Sequence, residues 1–305
     1  LTLPQNDISE VRGIVGATPL AATMEDIKGR ALMKRDEVDV IQFALPVAGD
    51  NDIQIINNLR DQVQSLKEMW TGHTPAGIPM VPDELTEATF YGREDVAALL
   101  DEGKVPLGLD LETVEPVTWD LKKGNLLYLT DKEEQMTQFV KQIARSKQKV
   151  IVLAPAYNEL PEMEGVTILS TKEDYVAGIK KMEENIQLRL EQQKSQHEAT
   201  IVLYNQLELM NDLSMDLQSS LNYVLEKGAR AGYATVAMSG SQLNRKIDEV
   251  SKSIKLYKQA IVAMRITDQS VLNVINRPVR EEPLDSQVNY YVEDGFVRKV
   301  KVLMK

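Results

Sequence analysis

The sequence predicts an α/β fold: a mostly parallel sheet flanked by helices, with a β-hairpin at the C-terminus. Three observations carry the prediction. Short apolar runs recur at Leu126–Leu129, Val150–Ala154, Val166–Leu169, Ile201–Tyr204, Ala234–Met238 and Ala260–Met264. Helical stretches separate them, at about 132–147, 172–196, 213–227 and 242–257. Runs that are apolar throughout belong to strands covered on both faces, and the intervening helices supply the crossovers of a parallel sheet. Near the end, Val288–Val292 and Phe296–Leu303 flank Glu293-Asp294-Gly295. Asp-Gly between apolar runs is a strong hairpin signal.

The composition allows such a core and restricts the chemistry. The chain has 305 residues, 43% of them hydrophobic, enough for one large or two ordinary domains. Acids outnumber bases 46 to 35, a net charge of -11. That balance argues against a nucleic-acid partner, since neutralising phosphates needs an excess of Lys and Arg. Cysteine is absent, which removes disulfides, thiol catalysis and cysteine-ligated metals and fits a cytosolic setting. His73 and His197 are the only histidines, and both sit in polar stretches as solvated side chains. No catalytic residue and no metal ligand is assigned. No stretch approaches the roughly 18 apolar residues of a membrane span.

The first 48 residues read as the tail of a preceding module. Asp7-Ile8-Ser9 followed by Ile14 recurs as Asp268-Gln269-Ser270 followed by Ile275. A hairpin-like pair follows each copy. The first is Ala31-Leu32-Met33, a turn at Asp36-Glu37, then Val38 to Leu45; the second is the C-terminal hairpin. Two copies of one ending imply tandem modules, and the chain is expected to be part of something longer. Residues 49–90 then form a helix and linker. Asp52 to Met69 is expected to be helical, with Ile55, Ile56, Leu59, Val63 and Leu66 on one face. Pro75, Gly77, Pro79 and Pro82 mark an extended linker. Residues 91–305 are expected to form the second module. Within it Ser170 and Glu173 have capping-box spacing, and Gly228 suits a helix stop.

Ligands of such sheets gather at the C-terminal ends of strands. The first strand, Leu126–Leu129, runs into a helix where a P-loop would read G-x-x-x-x-G-K-[ST]. This chain reads Thr130-Asp131-Lys132-Glu133-Glu134-Gln135-Met136-Thr137. Both glycine positions are filled, by Thr130 and Gln135. The phosphate-gripping lysine position holds Met136, and only Thr137 survives, at the magnesium-ligand position. A P-loop needs glycine so that backbone N–H groups can curl around phosphate. Here Asp131, Glu133 and Glu134 would repel it. Thr130 with Glu133, or Asp131 with Glu134, has the spacing to cap the helix start internally. The strand 199–206 ends in Tyr204-Asn205-Gln206 instead of an acid pair, so no carboxylate there can hold Mg²⁺ or activate water.

Leu203-Tyr204-Asn205-Gln206-Leu207-Glu208-Leu209-Met210 resembles the D-E-F-A-D-L-M stretch of FtsK/SpoIIIE translocases, with Tyr204 and Asn205 in place of the acids. Pro106-Leu107-Gly108-Leu109-Asp110 is similar to the segment before their first core strand. Gly228-Ala229-Arg230-Ala231-Gly232 resembles their G-R-A-x-G stretch, with the arginine displaced by one. Ala237-Met238-Ser239-Gly240 matches the strand that ends in a nucleotide-sensing Gln, here Gly240. Ile78-Pro79-Met80-Val81-Pro82-Asp83-Glu84-Leu85 and Gly29-Arg30-Ala31-Leu32-Met33-Lys34 resemble the junction between the last two ATPase modules of the EssC/EccC membrane coupling proteins of type VII secretion.

The resemblance implies a RecA-like P-loop NTPase fold for 91–305, a degenerate C-terminal ATPase module. It implies a vestigial nucleotide pocket at Thr130, Asp131, Gln135, Met136, Thr137, Tyr204, Asn205 and Gly240. No cofactor is expected, beyond weak ATP and Mg²⁺ binding through Thr137 and the Asn205 amide. The implied partners are WXG-type secreted effectors and the adjacent ATPase modules of the same chain, in a ring oligomer. The implied location is the cytoplasmic face of the bacterial cell membrane, with the anchor outside this chain. Two other readings are a slow ATPase completed by neighbouring subunits and an FtsK-like DNA translocase fragment. Tyr223, Tyr233 and Tyr257 could anchor a peptide or fill the core, and the mixed charge on 172–196 and 242–257 reads as solvated helix faces.

Overall fold

The computed structural model describes residues 1–3, 8–22, 27–73, 77–121 and 124–303; Asp7, Pro75 and Lys305 lie outside them. The chain divides into two units, Leu1–Gly77 and Ile78–Lys305.

In the first unit, helices α1 (Ile8–Val15) and α2 (Pro19–Ala22) precede a hairpin of β1 (Arg30–Lys34) and β2 (Val38–Gln42). The expected hairpin is present, with Leu32 opposite Val40. Val11 and Val15 of α1 bury their side chains with Leu32. Helix α3 (Asp52–Met69) has the expected bounds, set at its start by Asn51, whose side chain accepts from the Gln54 amide. None of its residues is buried, so the apolar face at Ile56, Leu59, Val63 and Leu66 is exposed.

The second unit begins with α4 (Glu87–Tyr91) and α5 (Glu94–Asp101), then β3 (Val105–Asp110) and β4 (Pro116–Trp119). The alternation follows: β5 (Leu126–Leu129), α6 (Glu133–Ala144), β6 (Val150–Leu153), β7 (Val166–Leu169), α7 (Lys172–Glu191), β8 (Ala199–Leu203), α8 (Gln206–Asp212), α9 (Met215–Lys227), β9 (Tyr233–Ser239), α10 (Glu249–Lys255) and β10 (Gln259–Val262). The hairpin β11 (Val288–Glu293) and β12 (Phe296–Lys301) ends it. All strands of this unit join one ten-stranded sheet in the order β4-β3-β12-β11-β10-β5-β9-β8-β6-β7. The run from β10 to β7 is parallel, and the remaining pairings are antiparallel. This is the RecA-like arrangement read from the sequence.

Strand geometry sends successive side chains to opposite faces. Leu127 and Leu129 therefore enter a core with Tyr175, Ile179 and Leu221 under α7 and α9. Leu126 and Tyr128 enter the opposite core, with Phe139, Val140 and Ile143 of α6. The hairpin turns at Asp294 and Gly295, both with positive φ, as the favoured two-residue hairpin turns require.

Several local readings are corrected. The cap of α7 is Thr171 paired with Asp174, one residue after the expected Ser170 and Glu173. Ser170 stays at the end of β7, whose register against β6 holds Leu169 opposite Leu153. Gly228 does end α9, but with right-handed backbone; a 3-10 turn carries on to Gly232, whose φ is +85°. The stretch 242–257 is broken, because Asp248 caps a new helix through the Ser251 amide. Tyr233 is buried, and Tyr223 and Tyr257 pack against the same core. The second copy of the D-x-S repeat does not start a helix as α1 does; its Asp268 is the last residue of a 3-10 turn at Ile266–Asp268.

Candidate functional site

The C-terminal ends of β5, β8 and β9 meet at one corner, beside the start of α6. Thr130 leaves β5 fully buried, with its amide donating to the Ser239 carbonyl at 2.9 Å. Its hydroxyl donates to Gln135 Oε1 and accepts from the Lys132 amide. Asp131 turns the other way. Its Oδ1 accepts from the Ser241 amide at 2.9 Å and from the Ser241 hydroxyl at 3.3 Å.

Neither expected capping box at this helix forms. The cap position is Lys132, which makes no side-chain capping bond. Thr130 and Asp131 lie too early and have other partners. Helix α6 already begins at Glu133. Glu133, Glu134 and Gln135 are thus a helical turn at the positions where a phosphate-wrapping loop would have to curl.

Met136 points into the core and is only 3% exposed, in the cluster that holds Phe139, Val140, Val202 and Tyr204. Thr137 and Tyr204 close the corner. Their hydroxyls share a hydrogen bond of 2.9 Å, and each also reaches the Glu133 carbonyl at 3.2 Å. Burial pushes the Tyr204 phenol up, partly offset by its bond to Thr137, so it stays protonated near neutral pH. Asn205 adopts left-handed backbone at φ +44°, which Asn tolerates better than most residues. Its amide donates to Glu133 Oε1 at 3.3 Å and to the Tyr157 hydroxyl at 3.2 Å. Beside it, buried Gln206 accepts from the Ser239 hydroxyl and donates to the Ser251 hydroxyl.

Gly240 completes the closure. A Cβ built there would stand 2.6 Å from Asp131 Oδ1, so the small residue makes room for the carboxylate. All eight sequence-predicted positions gather at this corner or in the helix turn that forms it. Arg230 does not join them. It is exposed in the turn before β9, at the other end of that strand. Among the described residues no group of three or more His, Cys, Asp or Glu could hold a metal ion.

Sequence reasoning missed what lies on the other flank of α6, a cavity of about 620 Å³. Its walls are α6 from Glu134 to Gln142, the segment 83–86, the 285–287 turn, Leu107 of β3, the ends of β5, β10 and β11, and Val302 and Leu303 just after β12. The segment 83–86, read as linker, is docked. Leu85 is 1% exposed, and Gln287 pairs with its backbone, accepting from the amide at 3.1 Å and donating to the carbonyl at 3.2 Å. Lys301 Nζ donates to the Asp83 carbonyl. These partners are 202 and 218 residues apart, and no local pattern could have announced them.

No protein-family model matches the chain. The type VII secretion system protein EssC of Staphylococcus aureus strain MRSA252 is 25% identical over 305 residues, covering 97% of this chain and 20% of that protein. The ESX secretion system protein YukB of Bacillus subtilis is 28% identical over 92% of this chain and 20% of its own length. A solved structure of EssC, ATPases 2 and 3, from Geobacillus thermodenitrificans superposes with a TM-score of 0.76 at 22% identity, over 98% of this chain and 59% of that one. A second, of Thermomonospora curvata EccC, ATPases 2 and 3, in complex with a signal sequence peptide, gives 0.57 at 18% identity, over 93% and 55%. This chain resembles the EssC/EccC proteins along nearly its whole length.

It spans about a fifth of the length of the curated relatives it matches. No helix among the described residues is long and apolar enough to cross a membrane.

Proposed function

We propose that residues 91–305 form a C-terminal pseudo-ATPase module of a type VII secretion coupling protein, recognising secreted effectors and coupling to neighbouring ATPase modules. Residues 1–48 would finish the preceding module, with 49–90 as the connection. The observation that carries the reading is the corner at α6. The lysine position is a methionine in the core, and the hydroxyl at the magnesium position is hydrogen-bonded to Tyr204. Wrapping a triphosphate would require unwinding the first turn of α6 beside Asp131, Glu133 and Glu134. Holding Mg²⁺ or nucleotide weakly through Thr137 and Asn205 would break the bonds to Tyr204 and Glu133. A module of this kind contributes by binding. A solved relative was captured with a signal sequence peptide, which supports a peptide-receiving role. WXG-type effectors, the adjacent modules in a ring, and the cytoplasmic membrane face are the partners and place that fit this reading.

Calorimetry decides it. Titrating Mg·ATP into the chain is expected to give no saturable heat, while a peptide from the C-terminus of a secreted effector binds. Sub-micromolar ATP affinity with multiple turnovers would sink the pseudo-ATPase reading. A folded chain that ignores the peptide would sink the receptor reading.

A further inference from the structure

The cavity beside α6 has no assigned ligand, and its lining has a consistent chemistry. Four carboxylates stand at it, Asp83, Glu84, Glu134 and Asp285, all on exposed residues. None of its lining residues is Lys, Arg or His. Deeper, the wall is amide-rich, with Gln142 and Asn289 buried and Gln135 and Gln138 partly so. The floor is apolar, formed by Leu107, Phe139, Ile261 and Val302.

Each layer excludes or favours something. One ammonium, Lys301 Nζ, is tied to the Asp83 carbonyl. Against it four carboxylates leave the mouth net acidic, so it disfavours phosphate and carboxylate ligands and attracts ammonium or guanidinium groups. Each wall glutamine spends one end of its amide inside the chain, Gln135 Oε1 on Thr130, Gln138 Nε2 on Glu87 and Gln142 Nε2 on the Pro106 carbonyl. The opposite ends, a donor at Gln135 and acceptors at Gln138 and Gln142, suit the backbone of an extended peptide. An apolar floor takes aliphatic side chains or the stem of a lysine. The volume falls within the range of ligand pockets and holds a few residues of polypeptide.

We propose that this cavity binds an extended peptide segment in which basic and aliphatic side chains alternate, with the basic groups at the carboxylate mouth and the aliphatic ones on the Leu107–Phe139–Ile261 floor. The inference rests on the reading of the chain as a receptor module and adds the site and the character of the segment received. Asp83 and Glu84 belong to a segment held at Leu85 by Gln287, and Glu134 to the first turn of α6, so the mouth is built on anchored elements.

The test is fluorescence anisotropy with two labelled tetrapeptides, Leu-Lys-Val-Lys and Leu-Glu-Val-Glu, at about physiological salt so that non-specific attraction to an acidic chain is screened. The basic peptide is expected to bind saturably and the acidic one at least tenfold more weakly. The double variant Glu134→Gln/Asp285→Asn is expected to weaken the basic peptide about tenfold with an unchanged melting temperature. The control Glu184→Gln/Glu191→Gln removes the same charge from exposed positions on α7 and is expected to change affinity less than twofold. Equal weakening by both double variants would mean long-range attraction and overturn the proposal. So would equal binding of the two peptides, or no binding of either. Pull-down of an intact secreted effector runs in parallel. If the chain captures the effector but never the basic peptide, the cavity proposal fails and the receptor reading stands. If it binds the basic peptide through Glu134 and Asp285 but captures no effector, the receptor reading fails and the site remains.

Discussion

The two flanks of α6 have opposite fates. On the β8–β9 side the polar groups that line the strand ends pair inside the chain: Thr137 with Tyr204, Asn205 with Glu133, Asp131 with Ser241. On the β10–β12 side the same helix faces about 620 Å³ of open space. A helix N-terminus favours anions. In this module the anions are covalently part of the fold, so the corner is self-satisfied. The ligand-receiving capacity of the strand ends lies on the other flank, with the opposite charge preference. The closed side is held by a few side-chain bonds, each contributing about 1 kcal/mol net.

The sharpest way to break the contrast is Met136→Lys. If the sealed side were a dormant phosphate loop, the lysine would restore a grip on ATP. If Met136 is core, the substitution places an uncompensated charge among Phe139, Val140 and Val202 and costs about 3–5 kcal/mol. Urea denaturation should show the large loss, and Met136→Leu should stay within about 1.5 kcal/mol of the parent chain. Saturable ATP binding by a stable lysine variant would refute the sealed corner.

A smaller effect is expected from Tyr204→Phe. It removes the hydroxyl shared with Thr137 and the Glu133 carbonyl, and should cost about 1 kcal/mol. Combining it with Thr137→Val in a double-mutant cycle should reveal a coupling of about 0.5–1 kcal/mol. Independent, additive losses would mean that the two hydroxyls do not hold the corner together.

How much of this was readable in the chain depends on how far apart the partners are. The apolar runs of β5 to β10 announced themselves, since full burial on both faces leaves an unbroken hydrophobic signature. The bounds of α3 were legible because Asn51 is a strong cap directly before it. Strands β3 and β4 were not. Pro106 and Pro116 interrupt short runs that carry no clear strand pattern, yet both sit in the antiparallel end of the sheet. The break within 242–257 left only Asp248 three residues before Ser251 as a cue. At the site, the positions read from the sequence lie together at one corner, held by bonds that the sequence did not announce. Asp131 and Ser241 are 110 residues apart, and Thr137 and Tyr204 are 67 apart. The capping boxes that local spacing offered lost to these long-range partners, which propensity cannot weigh.

The last test addresses the seam between Asp131 and Gly240 and is the smallest in magnitude. Gly240 has φ -82° and ψ 172°, an extended backbone that alanine adopts freely. Replacing a glycine at such a position should stabilise by about 0.4–1 kcal/mol through the unfolded chain. Here the new Cβ would lie 2.6 Å from Asp131 Oδ1, and the carboxylate must swing away from both Ser241 donors. Losing those bonds costs about 1 kcal/mol or somewhat more, so Gly240→Ala alone should be neutral to slightly destabilising. Once Asp131→Ala has removed the carboxylate, nothing obstructs the methyl group, and Gly240→Ala should become stabilising. The sign reversal, read as a non-additivity of about 1 kcal/mol in a chemical-denaturation cycle, is the signature of a carboxylate occupying the space a side chain would fill. Additivity within about 0.3 kcal/mol would place Asp131 elsewhere and reopen the corner on that side.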